Sequence, residues 1–331
     1  MAQVTAAATP LTPARGVAAS EIIPIVAFLA FALVPLAAIF GAEAYILGLF
    51  TRVMIFAIAA LALDLICGFG GLVSFGHAAF IGIGAYAVGI LASHGVNEVL
   101  ISLPAALLAS ALFALLTGII CLRTKGVYFI MITLAFGQMA FFIAGSLAPY
   151  GGDDGLTVRA RSSLFGMNLF NGDRVFYFAV LLCLIGSYLL CRSLVASRFG
   201  RVFRGSRENP TRMATIGFDT FRFQLAGYVI AGTIAGLSGF LLANATEFVS
   251  PAYMSWQRSG ELIIMVMFGG IGTLHGAIIG AAAYLLSEEW LAGVTEQWKL
   301  IFGPLLVVVV LFARGGLLGI LDRVKRGFSR D

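Results

Sequence analysis

Apolar stretches long enough to cross a bilayer follow one another along almost the whole of this 331-residue chain. A membrane-spanning helix needs about 20 mainly apolar residues. Stretches near this length occupy residues 22–40, 45–66, 72–93, 98–122, 127–148, 173–191 and 223–245, followed by a longer broken run at 260–287 and a shorter one at 301–313. With 60% hydrophobic and 11% charged residues, the composition lies outside the range of soluble proteins. We therefore predict an all-α fold, a polytopic transmembrane helical bundle of about 8–10 spans.

No long polar stretch interrupts these spans, so residues 21–313 are predicted to form a single membrane domain. Residues 1–20, rich in Ala, Thr and Pro, are predicted to be a disordered cytoplasmic N-terminus, and residues 314–331 a basic cytoplasmic tail. The chain contains no G-x-x-x-x-G-K-[ST] sequence and therefore no phosphate-cradling loop. We expect neither an enzyme nor a bound cofactor or metal.

The chain carries an internal repeat. The segment from His77 to Tyr86 recurs from His275 to Tyr284, with His, Ala, Ile, Gly, Ala and Tyr at matching positions. Each copy lies near a glycine pair, so broken or re-entrant segments are expected at Gly70, Gly71, Gly76, Gly269, Gly270 and Gly272. Paired breaks in apolar segments are typical of a transport path. The same glycines could instead serve close helix packing.

Polar residues inside the spans are few, and such residues are functional candidates by default. The candidates for a translocation path are Ser74, His77, Tyr86, Thr133, Gln138, His275 and Tyr284. The two histidines could line the path or bond backbone carbonyls freed by the breaks. For Arg52 and Asp64 we favour structural roles, with Asp64 at the inner membrane boundary and Glu261 at the outer one.

Lys and Arg concentrate in cytoplasmic loops of membrane proteins, and here they cluster at Arg123 and Lys125, in the loop 192–222 and in the tail. Placing both termini and these clusters in the cytoplasm is self-consistent up to residue 260. Beyond it, the run 260–287 must either re-enter from the outer side or split into two short crossings at residues 269–276. The net charge of +5 thus reflects topology, and we expect no nucleic-acid partner.

The loop 192–222 contains the punctuation of a short helix. Asn209 can cap its start, Pro210 suits the first position, and Gly217 suits the residue that closes it. Met213 and Ile216 lie about one turn apart, and we expect them to need a partner surface. Upstream, Arg198, Arg201, Arg204 and Arg207 recur every third residue. Two interpretations stay open for these arginines, an anchor on anionic lipid headgroups or a contact with a protein partner.

Several of these motifs together resemble the LivM/LivH-type permeases of branched-chain amino acid ABC importers. The similarity extends over roughly residues 45–320, with a length and tail like those of the LivM branch. Its motifs are residues 70–86, the outer loop 151–157, the cytoplasmic loop 200–217, and residues 248–251, 269–273 and 314–319.

The resemblance implies a subunit of a larger machine in a bacterial inner membrane. Its partners would be a LivH-like second permease subunit, two LivG/LivF-like ATPase subunits that bind ATP-Mg, a periplasmic substrate-binding protein and the lipid bilayer. The ATPase-coupling residues it implies are Arg204, Arg207, Glu208, Asn209, Pro210, Arg212, Met213, Ile216 and Gly217. The solute would be a branched-chain amino acid or a related amino acid, amide, urea or organic acid, moved by alternating access. The alternative is a secondary transporter or channel for a small polar solute.

Overall fold

Eleven α-helices and one two-stranded sheet make up the described part of the chain. The computed structural model describes residues 17–38, 43–158, 161–163, 170, 172–295, 297, 300, 302–304 and 316. The helices are α1 (Val17–Ala38), α2 (Glu43–Asp64), α3 (His77–Ser93), α4 (Val99–Cys121), α5 (Val127–Ser146), α6 (Asp173–Ala196), α7 (Arg198–Glu208), α8 (Pro210–Thr215), α9 (Thr220–Thr246), α10 (Trp256–Gly269) and α11 (Leu274–Val294). The strands are β1 (Leu156–Thr157) and β2 (Phe248–Val249).

The predicted helical bundle is confirmed. Within the described ranges, six helices are long and apolar enough to cross a membrane: Glu43–Phe69, Val99–Cys121, Val127–Ser146, Asp173–Ala196, Thr220–Thr246 and Leu274–Val294. The apolar part of α1, Ile22–Leu36, and α3 are shorter. α1 begins at Val17, inside the segment predicted to be disordered. Most of the predicted last span and nearly all of the basic tail fall outside the described residues.

α2 is the central helix, and from Val53 onward it is buried along its whole length. It packs against α6, α9 and α11, while α9 also packs against α3 and α4. Glycines allow the closest of these approaches. A Cβ at Gly239 on α9 would lie 3.0 Å from the amide nitrogen of Ala85 on α3. By contrast, α4, α5 and α6 expose many large apolar side chains, as helices facing lipid or another subunit do.

The run 260–287 folds as a helical hairpin. α10 ends at Gly269, the chain turns through residues 270–273, and α11 returns alongside it. A Cβ at Gly280 would lie 2.9 Å from the Cα of Gly269, and one at Gly276 would lie 2.9 Å from its carbonyl oxygen. α10 has 14 residues and is about 21 Å long, less than the roughly 30 Å of a hydrocarbon core. The break that charge parity required is thus present at residues 270–273, between α10 and α11.

The other end of the bundle is tied together by the small sheet, which the all-α prediction did not include. β1 and β2 pair antiparallel, with Leu156 opposite Val249 and Thr157 opposite Phe248. Close by in sequence, Arg161 forms salt bridges with Asp173 at 2.8 Å and Glu247 at 3.4 Å. These contacts connect the loop after α5 with the start of α6 and the end of α9.

Candidate functional site

The first break separates α2 from α3. After Asp64 the helix widens into a π-helical turn, Leu65–Phe69, and the chain then runs without regular structure until α3 begins at His77. The amide of Leu72 donates to the carbonyl of Ile66 at 2.9 Å. On the far side, the amide of Phe75 donates to Thr133 Oγ1 of α5 at 3.2 Å. These two hydrogen bonds therefore fix the backbone of the first break.

The six predicted break glycines are needed for two different reasons. Three have positive φ, of 69°, 115° and 78°, in a region that other residues rarely adopt: Gly71, Gly270 and Gly272. The other three lie against neighbouring atoms and leave no room for a side chain: Gly70, Gly76 and Gly269. The backbone-break and close-packing interpretations are thus both correct, at different positions.

The two breaks touch each other. The carboxylate of Asp64, at the end of α2, accepts a hydrogen bond of 2.7 Å from the amide of Gly272, in the turn of the α10–α11 hairpin. Gly68, in the π-helical turn, lies so close to Gly272 that a Cβ there would be 2.6 Å from the Gly272 Cα. In addition, Ser259 Oγ on α10 accepts from the amide of Ala78 at 3.1 Å. The two breaks form one connected site.

The helix α7 lies on the first break. Its Arg207 donates through Nη1 to the carbonyl of Gly68, and its Arg204 guanidinium lies 5.6 Å from the ring centre of Phe69. Phe203 is buried, and a Cβ at Gly227 of α9 would lie only 2.7 Å from its ring. Arg204 also donates to the carbonyl of Val195 at 2.7 Å. Two of the four periodic arginines, Arg204 and Arg207, therefore contact this chain itself, although all four are exposed.

The predicted capped helix is α8, and its ends are as expected. Asn209 Oδ1 accepts from the amide of Arg212 at 2.9 Å, and Pro210 is the first helical residue. Gly217 follows the helix with a φ of 97°. The amide of Phe218 donates back to the carbonyl of Met213 at 3.1 Å, which is the hydrogen bond of a glycine-closed helix end.

Part of the partner surface that Met213 was expected to need lies within this chain. The Met213 sulfur packs on α7 at Gly205, where a Cβ would lie 2.7 Å from Sδ. Gly205 therefore makes room for Met213. Ile216 and Phe218 remain 62% and 39% exposed, and Glu208 and Arg212 are exposed as well. The outward face of α8 is thus apolar at one end and charged at the other.

The path candidates fall into separate groups. Ser74, His77 and Thr133 are buried at the first break. Thr133 bonds the Phe75 amide and the Ile130 carbonyl, so it holds the backbone. His77 packs edge-to-face on Phe80, and neither ring nitrogen has a hydrogen-bond partner among the described residues. His77 therefore does not repair backbone carbonyls in that part of the chain.

The remaining candidates lie elsewhere. Tyr86 is buried beside an apolar groove of about 310 Å³ between α3, α4 and α5. Gln138 and His275 are half-buried, on α5 and at the second position of α11. Tyr284 is buried and packs edge-to-face on Phe302. The repeat thus places equivalent tyrosines in different surroundings.

Two contributors to the site were not anticipated from sequence. Gly68 contributes the close approach of its backbone to Gly272, and Ser259 contributes the hydroxyl that accepts from the Ala78 amide. No sequence motif marks either residue. Asp64 was expected to be structural, and its hydrogen bond is indeed to backbone, although that bond joins the two breaks.

A bundle of apolar helices with two connected glycine breaks, contacted by a polar helical segment at one end, defines a multi-pass membrane transport protein. The chain belongs to the family described as branched-chain amino acid transport system, permease component, which matches residues 45–311. It is a permease subunit of the ABC-importer type and not an enzyme.

Individual relatives agree with this assignment. The chain is 28% identical to the high-affinity branched-chain amino acid transport permease LivM of Salmonella typhimurium, over 81% of this chain and 68% of that protein. It is 24% identical to the permease BraD of Pseudomonas aeruginosa, over 80% and 91%. A shorter match, 34% identical over 41% of this chain and 43% of the relative, is to a LivH permease of Methanocaldococcus jannaschii. No solved structure matches the chain significantly.

Proposed function

We propose that this chain is the LivM-type subunit of an importer for branched-chain amino acids. The relatives named for that transport support the substrate class. An apolar bundle with few charged residues also suits a leucine-sized solute. The observation that carries the mechanism is the unbroken series of contacts from α8 through α7 to both breaks.

The proposed assembly pairs this subunit with a LivH-like permease. Two LivG/LivF-like ATPases lie beneath the pair and a periplasmic binding protein lies above it. ATP-Mg is bound by the ATPases, and this chain binds no cofactor. The proposed location is the bacterial inner membrane, with both termini in the cytoplasm. The clustering of basic residues in the α4–α5 loop and in the α7–α8 segment supports that orientation.

The contacts suggest how ATPase closure reaches the path. α8 presents Ile216 and Phe218 to an ATPase, and Met213 fixes α8 to α7 at Gly205. α7 then acts on the first break through Phe203 and Arg207. The first break acts on the second through Asp64 and Gly272. Movement of α8 would thus shift both breaks together, giving two alternating arrangements.

The test is a co-purification and uptake experiment on the complete importer. Residues 209–217 are replaced by a Gly-Ser linker of equal length in a tagged chain that is co-expressed with its partners. We expect the ATPases to stop co-purifying and ATP-driven leucine uptake into proteoliposomes to cease, while the chain stays in the membrane. Retained co-purification would refute the role of α8. Uptake that requires a proton or sodium gradient and survives loss of ATP would favour a secondary transporter.

A further inference from the structure

Four charged side chains of α2, α10 and α11 lie together, away from the two breaks. They are Arg52, Arg258, Glu261 and Glu288. The guanidinium carbons of Arg52 and Arg258 lie 6.0 and 5.9 Å from the ring centre of Phe56, so one buried ring holds both arginines. Arg258 forms a salt bridge of 2.7 Å with Glu261, whose side chains are 33% and 29% exposed.

Glu288 belongs to the same cluster. It lies on α11, which packs against α2 and α10, and its carboxylate interacts electrostatically with Arg52, Arg258, Glu261 and the neighbouring Glu289. Its Oε2 atom is buried and has no hydrogen-bond partner among the described residues. Within the same part of the chain, Arg258 pairs with Glu261, whereas Arg52 forms no salt bridge. Among the described residues, the Arg52 guanidinium therefore has no salt-bridge partner, and Glu288 Oε2 has no hydrogen-bond donor.

The cluster lies in the half of the helical bundle opposite the breaks. Arg52 is about 13 Å along α2 from its start at Glu43, and Glu288 is about 9 Å from the end of α11 at Val294, at 1.5 Å per residue. Charged side chains on membrane-spanning helices are costly and are candidates for solute pathways. Tyr284, a candidate path residue, lies within reach of the same four charges.

We propose that Arg52 and Glu288 form a binding site for a zwitterionic α-amino acid on its way through the membrane. The Arg52 guanidinium, with its five N–H donors, binds the solute carboxylate, and Glu288 Oε2 accepts from its ammonium group. Both contacts are charge-assisted hydrogen bonds. Phe56 and Tyr284 supply adjacent ring surface. An uncharged amide or urea offers no charge to either group, so the site favours amino acids. This site rests on the proposed function.

The test uses the complete reconstituted importer and radiolabelled leucine. We expect Arg52→Gln and Glu288→Gln each to lower ATP-driven uptake at least tenfold. Co-purification of the ATPases and basal ATP hydrolysis should stay unchanged. The matched control is Glu289→Gln, because Glu289 instead accepts from Tyr45 at 2.5 Å. It should keep uptake within twofold of wild type. Uptake in both variants within twofold of wild type would overturn the site.

A double variant separates solute binding from mutual stabilisation. Arg52→Glu combined with Glu288→Arg keeps both charges but reverses them, so a bound amino acid would have to turn around and misplace its side chain. We expect uptake to stay at least tenfold reduced, with assembly intact. Recovery of uptake would show that the charges serve only each other, and would overturn the proposal. A wild-type importer that takes up no leucine would instead overturn the proposed function.

Discussion

Asp64 and Gly272 are 208 positions apart in the chain, yet a hydrogen bond of 2.7 Å joins the carboxylate of one to the amide of the other. The bond connects the end of α2 to the turn of the α10–α11 hairpin. Through it, the two glycine breaks are directly connected, and we propose that they move as one unit.

Removing the carboxylate should uncouple this unit. We expect Asp64→Ala to lower ATP-driven uptake about tenfold, since leaving the Gly272 amide without its acceptor costs roughly 1–3 kcal/mol. Asp64→Asn keeps an acceptor oxygen for the Gly272 amide and should retain most of the activity. The measurement is initial uptake beside ATP hydrolysis in proteoliposomes. Equal loss in both variants would mean that the charge, and not this hydrogen bond, matters.

The packing of Phe203 against Gly227 can be tested by a double-mutant cycle. A Cβ at Gly227 would lie 2.7 Å from the Phe203 ring, so Gly227→Ala should destabilise the protein by about 1–3 kcal/mol. Phe203→Ala should cost about 3–5 kcal/mol through the cavity it leaves. In the Phe203→Ala background, Gly227→Ala should become neutral or mildly stabilising. Thermal unfolding in detergent measures the coupling, and strict additivity would contradict the packing described.

The contact between α7 and α8 depends on Gly205. In Gly205→Leu the new side chain would displace the sulfur of Met213, and α8 would shift on α7. We expect weaker co-purification of the ATPases with normal membrane insertion. Gly186→Leu on α6 is the matched control, because no atom lies within 4 Å of a Cβ there. Quantitative pull-down from detergent extracts compares the two, and identical yields would argue against the α7–α8 connection.

The outward face of α8 should be the ATPase contact. Ile216 is 62% exposed, so Ile216→Glu should leave the fold intact and reduce ATPase binding at least tenfold by placing a charge in an apolar contact. Lys125→Glu, on the exposed loop between α4 and α5, changes the surface charge more and should have little effect. Binding of the purified ATPases by titration decides between them. Similar losses in both variants would indicate a general charge effect.

Local features of the fold could be predicted from sequence because their causes are local. Asn209 and Gly217 delimit α8 through side-chain and backbone preferences that each residue carries with it. Charge parity required a break in the run 260–287, and the turn falls among the glycines at residues 269–272.

Long-range contacts could not be predicted in this way. The bond from Arg207 to the Gly68 carbonyl joins elements far apart in sequence, and a periodic row of arginines does not reveal which of them contact the rest of the chain. Met213 looked unpartnered for the same reason, since only the packing of α8 on α7 shows that Gly205 accommodates it. The ring of His77 remains buried without a hydrogen-bond partner among the described residues, and its part in the path stays a prediction.

The hairpin of α10 and α11 has a consequence for how the protein is made. α10 has only 14 residues and carries Arg258 and Glu261, so it is too short and too polar to stay in a bilayer alone. Its stable insertion therefore has to wait until α11 has been synthesised as far as Val294 and the two helices can enter side by side. A ribosome stalled between Thr273 and Val294 should hold a nascent chain in which α10 is not yet stably inserted in the membrane.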